Sequence, residues 1–240
     1  MKKKCFALLF VILCGCFSAT VEAANPVIRY FSRLLDETRA EKAIGELMQN
    51  HFVSEISETL KIVQDKDLSA RMCKLAENAP KTDLVFNVMV VESDIPDEIP
   101  LPGGYLILTS GLLSAAVSEE QRDFILARNI MHIILKHPTK LIKLEGLYPG
   151  LLNQLKLIPE KRNAQQIRAL IRDYLRNLPK MNHKKADLQG ILLTTSPDRT
   201  RQAAIAMLSS FTAKMWPVLP WDTGDLPARI GELEKLKLPE

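Results

Sequence analysis

Residues 101–138 constrain the fold more tightly than any other stretch of the chain. They open on Leu101-Pro102-Gly103-Gly104, where proline fixes one backbone angle and two glycines let the chain turn sharply. Tyr105-Leu106-Ile107-Leu108-Thr109 follows, apolar and partly β-branched, and reads as a strand. Ser118, with Gln121 three residues on, is an N-cap with its capping-box partner, so a helix starts there. It is expected to run to His137, because Pro138 cannot continue it. Upstream, residues 84–91 are rich in the β-branched valine and read as a second strand, followed by an acidic loop broken by Pro96 and Pro100. The two strands are expected to pair antiparallel. This order of elements calls for a small sheet lying on one long helix.

The flanking sequence is periodic at three and four residues. Leu34, Leu35, Ile44, Leu47, Ile56, Leu60 and Val63 predict a helix over about 25–63, and Leu68, Met72 and Leu75 another over 67–77. Helical stretches are expected near 140–157, 160–178 and 182–193. Pro197, in the first turn of the next, needs no N–H there, and that helix reaches Lys214. A proline-rich linker, 216–227, leads to a last helix over 227–237. The fold class expected is α+β, mostly helical. The chain divides into residues 1–23, a helical segment 24–63 and a single domain 64–240, with no repeats. An apolar fraction of 47% with 25% charged residues excludes wholesale disorder.

Lys2, Lys3 and Lys4 precede an apolar run over residues 5–17, and small residues follow up to Ala23 and Ala24. This is the pattern of a secretory signal peptide, and the run is short for a membrane span. Cleavage is expected after Ala23, giving an exported, periplasmic protein. Residues 1–23 take with them three lysines and one glutamate, so the formal charge falls from +4 to +2 and no nucleic-acid footprint remains. Leu13-Cys14-Gly15-Cys16 also resembles a bacterial lipobox; in that reading a lipid anchors the protein at Cys16. Beyond this region only Cys73 remains, a small buried apolar side chain rather than half of a disulfide.

Three segments together resemble the HtpX/BepA-type zinc metallopeptidases, metallopeptidase family forty-eight. They are the Leu-Pro-Gly-Gly-Tyr strand with Gly111-Leu112-Leu113, the helix from Ser118 through Leu126-Ala127-Arg128-Asn129-Ile130-Met131-His132, and the helix holding residues 196–207. The resemblance spans about residues 60–237. It implies the family's metallopeptidase-like domain, with the small sheet over the active-site helix. It also implies three zinc ligands and a general base, since His-Glu-x-x-His places two imidazoles on one helix face with the glutamate beside them. In this chain Arg128 stands at the first histidine, Asn129 at the glutamate, and Thr200 at the third ligand; His132 alone is kept. The downstream histidine of the periplasmic branch falls near Thr223, where no histidine occurs.

These replacements disfavour metal. Arginine is a permanent cation without a lone pair to give. It repels each unit of positive charge at 4 Å by roughly 4 kcal/mol at an effective dielectric near 20. Asparagine cannot take a proton from water as glutamate does. His132 and His137 lie about 140° apart on a continuous helix, so nothing in the spacing favours a relocated zinc site with Glu119, Glu120 or Glu145. No cofactor is expected unless ligands have moved.

The resemblance therefore implies a degenerate member, a pseudopeptidase that binds envelope or outer-membrane proteins or peptides in envelope quality control. The alternatives are an active zinc endopeptidase with relocated ligands and a structural envelope protein whose groove is filled. The strand Gly103-Gly104-Tyr105-Leu106-Ile107-Leu108, continuing to Thr109, is the candidate edge for adding a peptide strand. Arg128 is expected either to point into the vacated site, facing Thr200, and to bond Asp198, Glu119, Glu120, Asp123 or backbone carbonyls, or to reach solvent with only its stem buried. Lys136, Lys140 and Lys143, and the basic residues between Arg162 and Lys185, read as solvated faces. Ser110, Ser114 and Ser118 form no readable Ser-His-acid pattern.

Overall fold

The computed structural model describes residues 26–57, 59–80, 82–214 and 225–238, with the backbone alone for 26–36, 56 and 213–214. The expected signal peptide, Cys16 and most of the proline-rich linker, Thr223 included, lie outside these residues. Among the described residues no helix is long and apolar enough to cross a membrane.

Contacts divide the chain into residues 1–40 and 41–240. Of the first unit, the described part is the beginning of helix α1 (Pro26–Ile56). The remainder of α1 belongs to the second unit, where Ile44, Leu47 and Met48 are buried. The helix ends at Ile56 instead of 63. Ile62–Gln64 forms strand β1, because the β-branched Ile62 and Val63 pair with β2 (Asn87–Val91).

With β3 (Glu98–Pro100) and β4 (Tyr105–Thr109), these strands make one sheet in the order β1-β2-β4-β3. β2 and β4 are parallel, which corrects the antiparallel expectation. The short strand β3, unrecognised in the sequence, explains it. The chain leaves β2, runs back along β3, then reverses again at Pro102–Gly104 so that β4 slots between β2 and β3. Gly103 and Gly104 make that reversal with φ of 74° and 100°, angles that glycine adopts without steric cost. Helix α1 closes on the same turn through Gly45, where a Cβ would stand 1.9 Å from the Pro102 carbonyl oxygen.

This topology overturns the proposed peptide-docking edge. β4, with Tyr105, Leu106, Ile107 and Leu108, is an interior strand bonded on both sides, so no further strand can add to it. Gly103 and Gly104 are buried in the turn that feeds it. The edges are β1 and β3, and all three residues of β3 are buried. The Tyr174 hydroxyl donates to the Pro100 carbonyl, occupying part of that edge.

The two faces of the sheet carry separate cores, as alternation along β4 requires. Leu106 and Leu108 pack with α2 (Lys66–Ala76), α4 (Glu119–Ile134), α8 (His183–Ile191), α9 (Pro197–Lys214) and α10 (Leu226–Lys235). Ile107 packs with α1, α5 (His137–Leu144), α6 (Tyr148–Leu155) and α7 (Ala164–Asn177). A short helix, α3 (Ser110–Ala115), joins β4 to α4.

α4 is the central helix, and its whole stretch from Phe124 to Ile133 is buried. Ser118 caps it by accepting the Gln121 N–H at 3.2 Å, and Gln121 Oε1 accepts the Val117 N–H at 2.8 Å. It stops at Ile134, short of the expected His137. Lys136 turns left-handed at φ 57°, and Pro138 then opens α5, where its missing N–H costs nothing.

Candidate functional site

The resemblance picks out three positions on α4 and one on α9, and all four are sealed from solvent. Arg128, Asn129 and His132 are 0% exposed and Thr200 is 1% exposed. What fills the space is an ion cluster centred on Arg128. Its Nε donates to Asp187 Oδ1 at 2.8 Å, and one terminal nitrogen donates to Glu98 Oε1. The other lies 3.0 Å from His183 Nδ1. Arg229 of α10 completes the cluster, donating to both oxygens of Asp187 at 2.6 and 3.1 Å. Two guanidinium groups and two carboxylates thus join α4, β3, α8 and α10.

Local sequence explains how these groups meet. His183, Asp187 and Gly190 follow at four and three residues, so they share one face of α8. Gly190 lets that face close on α4, since a Cβ there would lie 2.7 Å from the Arg128 backbone nitrogen. Glu98 is delivered by β3, which lies beside the helix because β4 is interior. Burial pushes the Asp187 carboxyl up, but Arg229 and Arg128 together outweigh it and hold the group below its ordinary value. Asn129 donates its amide to Glu98 Oε2 at 2.7 Å and to the Ile125 carbonyl at 2.8 Å, while its Oδ1 is buried without a partner.

The break at Lys136 corrects the expected divergence of His132 and His137. The turn folds α5 back, and the two Nδ1 atoms lie 3.1 Å apart. His183 stands edge-on to His132, with ring centres 4.9 Å apart. Because a guanidinium can only donate, His183 Nδ1 is the acceptor and its Nε2–H donates to the Leu178 carbonyl at 3.2 Å. One Nδ1 of the His132–His137 pair carries the proton that joins them, and His132 Nε2 is buried without a partner. Burial, then the Arg128 charge, holds His132 well below its ordinary value. Burial, with Lys140 and Lys185, takes His137 down to about 4, and burial with Arg128 takes His183 to about 3. All three are neutral at pH 7.

The partners expected for Arg128 were the wrong acids. Asp198 bonds Arg201 and Gln202 at 2.6 and 2.9 Å. Glu119 and Asp123 bond Arg71, and Glu120 faces Arg199 at 3.4 Å. The sequence reading missed Glu98, His183 and Asp187, and it took Arg229 only as part of a weak C-terminal echo. The signal available was the His183, Asp187, Gly190 spacing on one helix face.

The residues present do not fit a catalytic zinc. Such a site needs three protein ligands and an open position. Among the described residues no three His, Cys, Asp or Glu side chains are placed to hold a metal ion. Both ring nitrogens of His183 are used, and every carboxylate oxygen of Asp187 and Glu98 already accepts from a cationic or amide donor. Among the described residues, the unpartnered buried atoms at the centre are His132 Nε2 and Asn129 Oδ1, beside a permanent cation.

Two outcomes follow from this geometry. Arg128→Ala leaves Glu98 without its cation and Asp187 with half of its pairing, both buried. Urea unfolding at unchanged m should show a loss of about 3–5 kcal/mol, whereas a loss below about 1 would mean that the side chain is not sealed in the core. Stability should also fall with pH. The three histidines have folded values below 6.5, so the unfolded chain binds more protons once the pH drops beneath that value. The stabilisation is complete above about 6.5 and is lost as the pH falls, through about 4 for His137 and about 3 for His183, at up to about 1.4 kcal/mol per pH unit for each histidine. His183→Gln should flatten the slope of the unfolding free energy measured between these limits.

A scan against family models matches residues 63–219 to the model described as peptidase family M48. A search of curated proteins finds no match. The matched segment runs from β1 through the strand-turn-helix unit and α9, and so takes in the sheet, α4 and the members of the ion cluster other than Arg229. The helical fold with its small sheet, and a family match over more than half of the chain, place this protein in peptidase family M48.

Proposed function

We propose that the chain is an exported, catalytically inactive member of this family, a pseudopeptidase that acts in the cell envelope by binding envelope proteins or peptides. The observation that carries the reading is the Arg128 cluster. A cation bonded to two carboxylates is buried at the position that the resemblance aligns with the family's first zinc ligand. Hydrolysis also needs a base to take a proton from water, and Asn129 offers an amide that is already donating. Solvent and substrate have no access to side chains that are 0–1% exposed.

The basic start and apolar run of residues 2–17 support export, and the resemblance to periplasmic members supports an envelope role. Binding then uses a surface away from the former centre. The filled centre also supports a second reading, a structural envelope protein in which the ion cluster contributes only rigidity. The two readings differ in whether purified protein retains partners from envelope extract.

Metal content and hydrolysis test the loss of catalysis. Protein purified without chelator, then given excess zinc and desalted, should carry far less than one zinc per chain and should leave unfolded protein substrates intact. About one zinc per chain, with hydrolysis abolished by His132→Ala or Asn129→Ala, would overturn the proposal.

A further inference from the structure

The histidine pair leads outward to a basic pocket. His137, 8% exposed, forms part of the wall of a cavity of about 410 Å³. Lys140 of α5 stands on one side of it. Lys180, just after α7, and Lys185 in the first turn of α8 stand on the other. Leu141, Leu144 and Met181 supply an apolar wall. The volume lies within the range of small-molecule sites, ~300–1,000 Å³.

The charges here are unbalanced. Glu145 bonds Lys180 at 2.8 Å and is that lysine's counter-ion. Among the described residues no carboxylate lies within ion-pairing distance of Lys140 or Lys185. Both line the same pocket and lie close enough to His137 to press its imidazole towards the neutral form. Asn182 and the N-terminal turn of α8 add the positive end of a helix of nine residues at the same rim. Two uncompensated ammonium groups, a helix N-terminus and an apolar wall on one cavity form a receptor for an anion of about two charges.

We propose that this pocket binds a phosphate group, held by Lys140 and Lys185 against the N-terminus of α8. A monoanionic carboxylate would leave one of the two lysines uncompensated, whereas a phosphate monoester carries about two charges near pH 7 and three acceptor oxygens. The phosphate can belong to a soluble ester or to a lipid headgroup whose chain lies on Leu141, Leu144 and Met181. The site is independent of whether the former catalytic centre is active.

Calorimetric titration of the full chain with inorganic phosphate, against sodium chloride at equal ionic strength, tests it directly. The partner arm uses phosphatidylcholine vesicles with and without added phosphatidic acid. Both lysines are exposed, so Lys140→Ala with Lys185→Ala should fold normally, as circular dichroism can verify. That pair should weaken phosphate or vesicle binding by at least about tenfold, since two charge-assisted contacts are lost. Lys140→Arg with Lys185→Arg should retain it. Lys156→Ala with Lys161→Ala removes equal charge outside the pocket and should change nothing. Binding of free phosphate assigns a soluble ester; binding of phosphatidic acid vesicles without free phosphate assigns a headgroup. Binding of neither ligand, or equal weakening by the Lys156/Lys161 pair, would overturn the site.

Discussion

A guanidinium sealed from water costs several kcal/mol unless its charge and its five N–H donors are matched, and Arg128 is sealed completely. Its partners therefore cannot be optional. Glu98 must come from a strand beside the helix, and Asp187 from a helix packed close against it. Asp187 in turn recruits Arg229, because a single carboxylate between two cations neutralises both partly while Glu98 supplies the remaining charge. The order of the sheet, the glycine at 190 and the position of α10 all serve this one requirement. Such a cluster contributes little net stability compared with apolar packing, but removing any one member leaves the others buried and unmatched. It therefore fixes one arrangement of the helices more than it raises the free energy of unfolding.

The centre also sets the state of the histidines. With two guanidinium groups nearby, a further positive charge is disfavoured, and burial acts in the same direction. A neutral imidazole can be donor and acceptor at once, and that is how His183 spans Arg128 and Leu178 and how His132 meets His137. The left-handed Lys136 is what allows this last contact, since on an unbroken helix the two rings would diverge. His183 meets His132 edge-on, so the buried arginine and the wall of the basic pocket are joined through three packed imidazoles.

Much of this was legible in the sequence, and the failures have identifiable causes. The capped helix from Ser118, the glycine turn and the strand after it follow from local chemistry, and they were read correctly. For Arg128 the sequence left two outcomes open, a buried tie or a side chain reaching solvent, and its complete burial decides for the first. Its acids were not found, since β3 is three residues long and shows no periodicity, while Asp187 lies in a stretch whose lysines and arginines suggested a solvated face. The same bias hid the pocket: Lys140, Lys180 and Lys185 belong to two basic stretches that meet only in three dimensions. The parallel pairing of β2 and β4 was missed for the same reason as Glu98. Once β3 is overlooked, two neighbouring strands joined by a loop look like a hairpin.

The central claim is that an arginine ion cluster stands where the family holds its metal. Crystals grown with excess zinc, measured on both sides of the zinc absorption edge, test it at atomic level. The account expects Arg128 bridging Glu98 and Asp187, with no anomalous peak within bonding distance of His132 Nε2. A zinc peak on His132, with Arg128 swung out of the core and its carboxylates turned to the metal, would contradict it.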